Sequence, residues 1–324
     1  MRAVQVVETT GLSGVRVVDV PEPQLGEGNV LVEVRCAGLS FPDVLMSQGL
    51  YQIKPDPPFT LGHEASGIVR QAAAGSRFAP GDRVTAFGLG SCAELLTADE
   101  RAVCRLPDAL SFEEGAALTL NYHTAHFGLI RRGRMRSGDT VLVHGAGGGV
   151  GSAAVQVAAA KGASRVIGVV SSDEKAEVAR RVGATDVVRS DGPWRDEAQT
   201  LTDGRGVDIV FDPVGGDRFR DSMRCLALEG RLVIIGFAEG SIPEVGANRI
   251  LFRNIDLVGA AWGAFLLNVP QLTREIEADL EPLIEAGKIK PYVSRALPLE
   301  EAVEGMEEIA GRRVLGKVVL RVSQ

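Results

Sequence analysis

The chain has 324 residues, 45% hydrophobic and 24% charged, with a formal net charge of −7. That length implies roughly two globular domains. The acidic balance argues against a nucleic-acid groove or an anionic membrane surface as the main partner, and no apolar run approaches the ~20 residues that cross a bilayer.

Met1 to Val7 reads as a short strand with no long apolar stretch behind it, so no secretory leader is expected. The four cysteines, Cys36, Cys92, Cys104 and Cys225, show no C-x-x-C spacing. They read as reduced thiols of a cytoplasmic protein. As far as about Leu110 the chain alternates short strands with turn residues. Strands are predicted at Val15–Val20, Val30–Cys36, Gly67–Gln71, Arg83–Ala86 and Ala102–Leu106, punctuated by Pro21, Pro23, Gly26, Gly28, Pro80 and Gly81. This is the pattern of a barrel-like β module.

Helical signals begin at Ser111, a capping residue followed by Glu113 and Glu114 in a first turn. From Thr140 to about Gly259 strands and helices alternate. Strands are predicted at Thr140–His144, Arg165–Val170, Asp186–Arg189, Val207–Pro213, Gly230–Ile235 and Ile255–Gly259. Helices are predicted at Gly149–Lys161, Asp173–Val182, Trp194–Thr202, Arg218–Leu226 and Arg249–Phe252. Such alternation implies a parallel sheet with helices on both faces. From about Pro270 come a long helix, a β run at Tyr292–Leu297, a helix at Leu299–Ala310 and a last strand at Gly316–Val322. This tail is expected to return to the first domain, where its strands gain partners.

Within the alternating region, Thr140 to Ser152 reads TVLVHGAGGGVGS. A β-branched strand runs into a glycine cluster, then a helix, then a second strand, which is the context a dinucleotide-binding turn requires. The same glycines without those flanks would be a flexible loop. Gly148 is expected to let the backbone approach a pyrophosphate, and Gly151 to let the helix pack on the strand. Gly145, Gly147 and Gly149 are expected to relax the turn through positive φ. In the G-x-G-x-x-G register ending at Gly151 the first position is Ala146. Amides at the helix start, Gly149 and Val150 among them, would face the anion. About 20 residues on, an NAD site usually carries an acid for the ribose. Here Ser171 and Ser172 end the strand and can donate to a 2′-phosphate, with Lys175 adding charge. Asp173 and Glu174 read as first-turn acids or as ribose partners. NADPH is therefore the expected cofactor, with acceptance of both cofactors as the counter-reading.

Short matches then accumulate along nearly the whole chain. They are GLSFPD (38–43), GLY (49–51), GHEASG (62–67), GDRV (81–84), LNYHTA (120–125), HGAGGGVG (144–151), DPVGG (212–216), GRLV (230–233) and IGF (235–237). Together they resemble the zinc-independent quinone oxidoreductases, the zeta-crystallin-like branch of the medium-chain dehydrogenase/reductase superfamily. The resemblance implies an α/β chain. A GroES-like β-barrel catalytic domain would span 1–120, completed by 265–324, and a Rossmann doubly wound parallel-sheet domain 121–264. The superfamily's zinc enzymes carry a cysteine where this chain has Ser40, a histidine that His63 matches, and a later cysteine near Leu120. The cysteine-rich structural zinc lobe is absent. One strong ligand is not a site, so no metal is expected, and His63 reads as an orienting residue beside Glu64.

The implied chemistry is hydride transfer to an electron-poor acceptor, with a donor for the developing oxyanion. Tyr51 and Ser40 are the candidate donors. The resemblance sets Asn121 and Thr124 near the nicotinamide, Gly236 and Phe237 near its ribose, and Asp212 to Gly215, Val214 among them, in the adjoining loop. Asp43 reads as a loop-fixing residue, and His123 and His126 as packing or surface residues. Relatives often carry a tyrosine near the adenosine phosphate where this chain has Ser190, and Arg189 is a candidate to substitute for it by charge. Arg312 lies where some relatives present an arginine toward the 2′-phosphate; a solvated helix-end charge is the alternative. The strand 254–259 is an apolar sheet edge, which implies a homodimer. Three functions fit: an NADPH-dependent quinone reductase, an enone or enoyl-thioester reductase on the same scaffold, or a non-catalytic NADPH-binding protein. The thioester reading would need a basic entrance, for which Arg131, Arg132, Arg134 and Arg136 are the candidates.

Overall fold

The structure is a computed structural model that describes residues 1–323. The chain forms two compact units, Met1–Leu120 with the segment from Pro270 onward, and Asn121–Val269.

The first unit runs through β1 (Arg2–Val6), β2 (Val15–Asp19), β3 (Asn29–Gly38), α1 (Phe41–Ser47), β4 (Phe59–Thr60), β5 (Glu64–Ala72), β6 (Arg83–Phe87), β7 (Leu95–Asp99), β8 (Val103–Arg105) and α2 (Phe112–Gly115). A three-stranded sheet has the order β2-β1-β4. The long β3 pairs antiparallel with β5 and β7. Its Val30, Val32 and Val34 are fully buried, in one core with Val4, Leu61, Val84 and Val103. Gly67 of β5 faces β3 so closely that a Cβ there would lie 2.1 Å from the Glu33 carbonyl oxygen, which is why this strand carries glycine. Three elements of this unit, α1, β4 and β7, have no counterpart among the sequence expectations. Helix α1 is started by Asp43, whose carboxylate accepts from the Ser40 N–H, a short-range cap inside an otherwise β-like stretch. Strand β7 has a register with β3 but little alternation of its own.

The second unit begins within α3 (Thr119–His126), which continues as a π-helical turn over Phe127–Arg132. Then follow β9 (Thr140–His144), α4 (Gly149–Ala160), β10 (Arg165–Val170), α5 (Asp173–Arg181), β11 (Asp186–Arg189), α6 (Trp194–Leu201), β12 (Val207–Asp212), α7 (Phe219–Cys225), β13 (Leu226–Ile234), α8 (Ala247–Arg253), β14 (Asp256–Gly259) and α9 (Trp262–Leu266). The six strands form a parallel sheet in the order β11-β10-β9-β12-β13-β14. Strand β13 starts at Leu226, four residues before the predicted Gly230, because α7 ends sharply at Cys225. Every residue of β9 is buried, as a central parallel strand covered on both faces requires.

The tail comprises α10 (Leu272–Glu285), β15 (Val293–Pro298), α11 (Ala302–Ala310) and β16 (Lys317–Arg321). Strand β16 pairs with β15 and, antiparallel, with β3. Among the described residues no helix is long and apolar enough to cross a membrane.

Candidate active site

Strand order in the second unit turns back at β9, with β10 on one side and β12 on the other. A crevice at the carboxyl ends of the strands is expected at such a switch point, and the glycine turn stands there. Gly145 has φ +62°, whereas Gly147 and Gly149 do not enter the left-handed region. The expectation of positive φ at those two is therefore corrected. They are small for steric reasons: a Cβ on Gly147 would lie 2.6 Å from Lys175 Cβ, and one on Gly149 would lie 2.9 Å from Asn121 Nδ2. Gly151 packs the helix against the turn, its Cβ position falling 2.0 Å from the Gly145 carbonyl oxygen. Gly148 differs from all of these. A Cβ there meets only the Gly145 oxygen, at 3.5 Å, so its outer side is open. The first i→i−4 bond of α4 runs from Ser152 N to the Gly148 oxygen at 2.8 Å. The amides of Gly149, Val150 and Gly151 precede it, at the positive end of a twelve-residue helix. An open glycine facing a row of helix-start amides fits a pyrophosphate.

Two loops adjoin this turn. The Asp212 carboxylate accepts from the N–H groups of Val214 and Gly215, each at 2.9 Å, and so shapes the 212–215 bend. The Asp212 carbonyl oxygen accepts from Ile235 N at 2.9 Å. Phe237 lies over Gly215, where a Cβ would come within 2.9 Å of its ring. Val214 reaches the Gly145 position at 3.4 Å. The expected Gly145, Gly148, Gly149, Val150, Gly151, Asp212, Val214, Gly236 and Phe237 therefore share one end of the sheet. Asn121, buried, touches the turn at Gly149, and Thr124 follows one helical turn later in α3, also buried.

The end of β10 holds the second group. Ser172 caps α5, its hydroxyl accepting from Lys175 N at 3.3 Å, and Lys175 Nζ reaches Ser171 Oγ at 3.3 Å. Asp173 and Glu174 are in the first turn of α5, and Asp173 pairs with Arg189 at 2.6 Å.

In the first unit the hub is Asp43, which the sequence marked only as a loop-fixing residue. Its Oδ2 accepts from Ser40 N (2.8 Å) and Ser40 Oγ (2.6 Å), and its Oδ1 from Gly62 N (3.0 Å). His63 Nδ1 lies 3.1 Å from Oδ1. Burial alone would raise this carboxyl, but the His63 bond and charge, the Ser40 hydroxyl and Lys317 hold it below the ordinary carboxylate range. An ionised Asp43 only accepts, so His63 donates to it from Nδ1; among the described residues Nε2 is buried without a hydrogen-bond partner. The Tyr51 ring meets the His63 ring edge-on, with centroids 5.8 Å apart. Burial and the Asp43 charge both raise the Tyr51 phenol, keeping it a proton-bearing donor.

Two expectations change here. Ser40 donates its hydroxyl hydrogen to Asp43, so toward anything else it presents lone pairs. His63 is oriented by Asp43; Glu64 instead forms a buried ion pair with Lys317 (2.5 Å) and accepts from Leu120 N (2.8 Å). Among the described residues no group of three or more His, Cys, Asp or Glu is placed to hold a metal ion.

His123 is buried edge-on against Trp262, and His126 is buried in the same helix. Arg312 belongs to the first unit, in a left-handed turn after α11. Of the arginine cluster, Arg131 lies over the Phe265 ring at 5.1 Å, Arg132 donates to the Gly259 carbonyl (2.8 Å), and Arg134 pairs with Asp256. All four cysteines are buried and free. Burial pushes the Cys36 and Cys225 thiols up to about 12, so neither is a nucleophile.

Residues 26–127 match the alcohol dehydrogenase GroES-like domain, and residues 149–278 match the zinc-binding dehydrogenase family. The chain is 38% identical over 312 residues to a quinone oxidoreductase-like protein 2 homolog of Nematostella vectensis, covering 93% of this chain and 83% of the relative. Among solved structures it is similar to a probable oxidoreductase from Mycobacterium abscessus, with TM-score 0.91 and 41% identity over 99% of this chain and 98% of that one. It is also similar to Escherichia coli quinone oxidoreductase complexed with NADPH, with TM-score 0.91 and 28% identity over 99% of this chain and 100% of that one.

Proposed function

Because this chain belongs to the quinone oxidoreductases of the medium-chain dehydrogenase/reductase superfamily, we propose that it is an NADPH-dependent reductase of quinones that works without a metal. The observation that carries this reading is the open Gly148 beside the amides of α4, with Ser171 and Lys175 rather than an acid at the end of β10. The E. coli neighbour was solved with NADPH, which supports the same cofactor here. Bound NADPH supplies the hydride.

The chain's residues then have these roles. The helix-start amides of Gly149, Val150 and Gly151 hold the pyrophosphate. Ser171, Ser172 and Lys175 bind the 2′-phosphate. Asp212, Val214, Gly236 and Phe237 shape the wall against the nicotinamide ribose, and Asn121 with Thr124 orients the ring. Tyr51 donates its phenolic hydrogen to the oxygen on which charge develops as the acceptor is reduced. Ser40, bonded to Asp43, positions the Asp43–His63–Tyr51 group. Quinones are reduced readily, so orientation supplies much of the acceleration. Of the four arginines that the enoyl-thioester reading would use as a basic entrance, Arg134 is paired with Asp256, which weakens that entrance and favours the quinone.

The protein is cytoplasmic and a homodimer in this reading. Free, buried thiols suit a reducing compartment, and β14 stands at the sheet edge with Asp256 and Gly259 exposed. The test is NADPH oxidation with ortho- and para-quinones, simple enones and an enoyl-CoA, with NADH and a chelator as controls. Turnover of quinones supports the reading; turnover of enones alone overturns it.

A further inference from the structure

Two cations converge on one residue at the end of β10. Lys175 Nζ reaches the Ser171 hydroxyl at 3.3 Å, and Arg189 Nη2 donates to the Ser171 carbonyl oxygen at 3.0 Å. Arg189 is the last residue of β11, and its register partner on β10 is Val170, the residue before Ser171. The parallel pairing itself therefore delivers the guanidinium to the place where a Rossmann site reads the adenosine ribose. The guanidinium is also engaged by two carboxylates. Nη1 donates to Asp173 Oδ1 at 2.6 Å, while Nε and Nη2 donate to the two Asp191 oxygens at 3.2 Å each. These partners are unequal. The Asp191 pair is a two-pronged grip from two residues away, which orients the plane of the fork. Asp173 is a single contact from a side chain that is 91% exposed, and a solvated carboxylate of this kind is a weak partner.

We propose that Arg189 is a specificity-determining residue for the cofactor's 2′-phosphate, with Asp191 as the residue that positions it and Asp173 as the anion the phosphate displaces from it. The inference rests on the NADPH reading above and adds to it a residue and a direction. A dianionic phosphate outcompetes one exposed carboxylate for a guanidinium because it brings more charge and the geometry for a forked contact. Asp173 then opposes binding twice, by occupying Nη1 and by repelling the incoming phosphate. Removing its charge strengthens binding, whereas removing the Arg189 charge weakens it. A salt bridge that only held α5 and β11 in place would respond the same way to loss of either partner, so opposite signs separate the two cases.

The experiment is calorimetric titration of the wild-type chain, Arg189→Gln and Asp173→Asn with adenosine 2′,5′-diphosphate and with adenosine 5′-monophosphate, which differs only in lacking the 2′-phosphate. Arg189→Gln is expected to weaken the 2′,5′-diphosphate by about tenfold or more, the worth of a charge-assisted hydrogen bond, with the 5′-monophosphate little changed. Asp173→Asn is expected to tighten the 2′,5′-diphosphate several-fold. Arg189→Lys, which keeps the charge but not the fork, is expected to fall between wild type and Arg189→Gln. If the wild type prefers the 2′,5′-diphosphate and Arg189→Gln keeps that preference, the role of Arg189 is overturned and the NADPH reading stands. If both variants weaken both probes equally, the pair is structural and the inference is overturned. If the wild type itself binds the two probes equally, the NADPH reading fails and this inference with it.

Discussion

Gly148 and Gly151 stand three residues apart in one turn, and alanine at each has a different consequence. Gly151 is hemmed in by backbone: a Cβ would lie 2.0 Å from the Gly145 oxygen, 2.6 Å from its carbonyl carbon and 3.0 Å from Ala146 Cα. Backbone atoms cannot rotate aside, so Gly151→Ala displaces the turn and costs about 1–3 kcal/mol of stability, the range for overpacking. Gly148 has extended backbone, φ −96° and ψ −178°, which alanine adopts without strain. Its Cβ would touch only the Gly145 oxygen at 3.5 Å, ordinary contact. Alanine is a poorer helix cap than glycine, but it also restricts the unfolded chain by about 0.4–1 kcal/mol, and the two effects offset. Gly148→Ala should therefore melt close to wild type. Its methyl group projects where the pyrophosphate approaches the α4 amides. Holding the anion off costs one or more charge-assisted bonds, about 1.5–3 kcal/mol each, or about 10- to 150-fold in NADPH affinity. Thermal denaturation and NADPH fluorescence titration measure the two effects separately. A Gly148→Ala protein that binds NADPH as wild type does would refute the assignment of this turn to the pyrophosphate.

Tyr51→Phe is expected to lower the rate of quinone reduction by about a hundredfold, the scale of a lost oxyanion donor, with NADPH affinity unchanged; steady-state kinetics beside a binding titration check this. Lys317→Met leaves Glu64 buried without its cation and should cost about 3–5 kcal/mol in urea unfolding, part of which the Glu64→Gln, Lys317→Met double variant recovers. Burial depresses His123 to about 3 and His144 to about 4. In the unfolded chain both protonate near 6.5. Between those values the unfolded state binds more protons, so stability falls as pH drops from about 6.5 toward 4 and then 3, by several kcal/mol in order of magnitude. His123→Phe, which keeps the edge contact with Trp262, should flatten that slope in pH-dependent chemical denaturation.

The parallel-sheet unit was legible because strands such as β9 and β10 are rich in β-branched residues and bounded by glycine or by a helix cap. Ser172, for example, marks the start of α5 both as a residue type and in the folded chain. Helix α1 was hidden because its signal is a single cap, Ser40 with Asp43, in seven residues between strands. The cradle glycines were recognisable as a set, but their separate reasons were not. What Gly147 avoids is Lys175, 28 positions away, and what Gly149 avoids is Asn121 on another helix. The same limit applies to His63. Its neighbour in sequence is Glu64, the first residue of β5, which pairs with Lys317, while His63, just before the strand, meets Asp43. Short-range chemistry is written locally; partners brought together by strand pairing are not.

The central claim is that this chain reduces quinones with NADPH and needs no metal. The most direct measurement is the loss of NADPH absorbance with a para-quinone, in metal-free buffer with and without a chelator, beside the same assay with NADH. The account predicts turnover with NADPH that the chelator does not change and that falls in Tyr51→Phe. Activity abolished by the chelator and restored by zinc would contradict it.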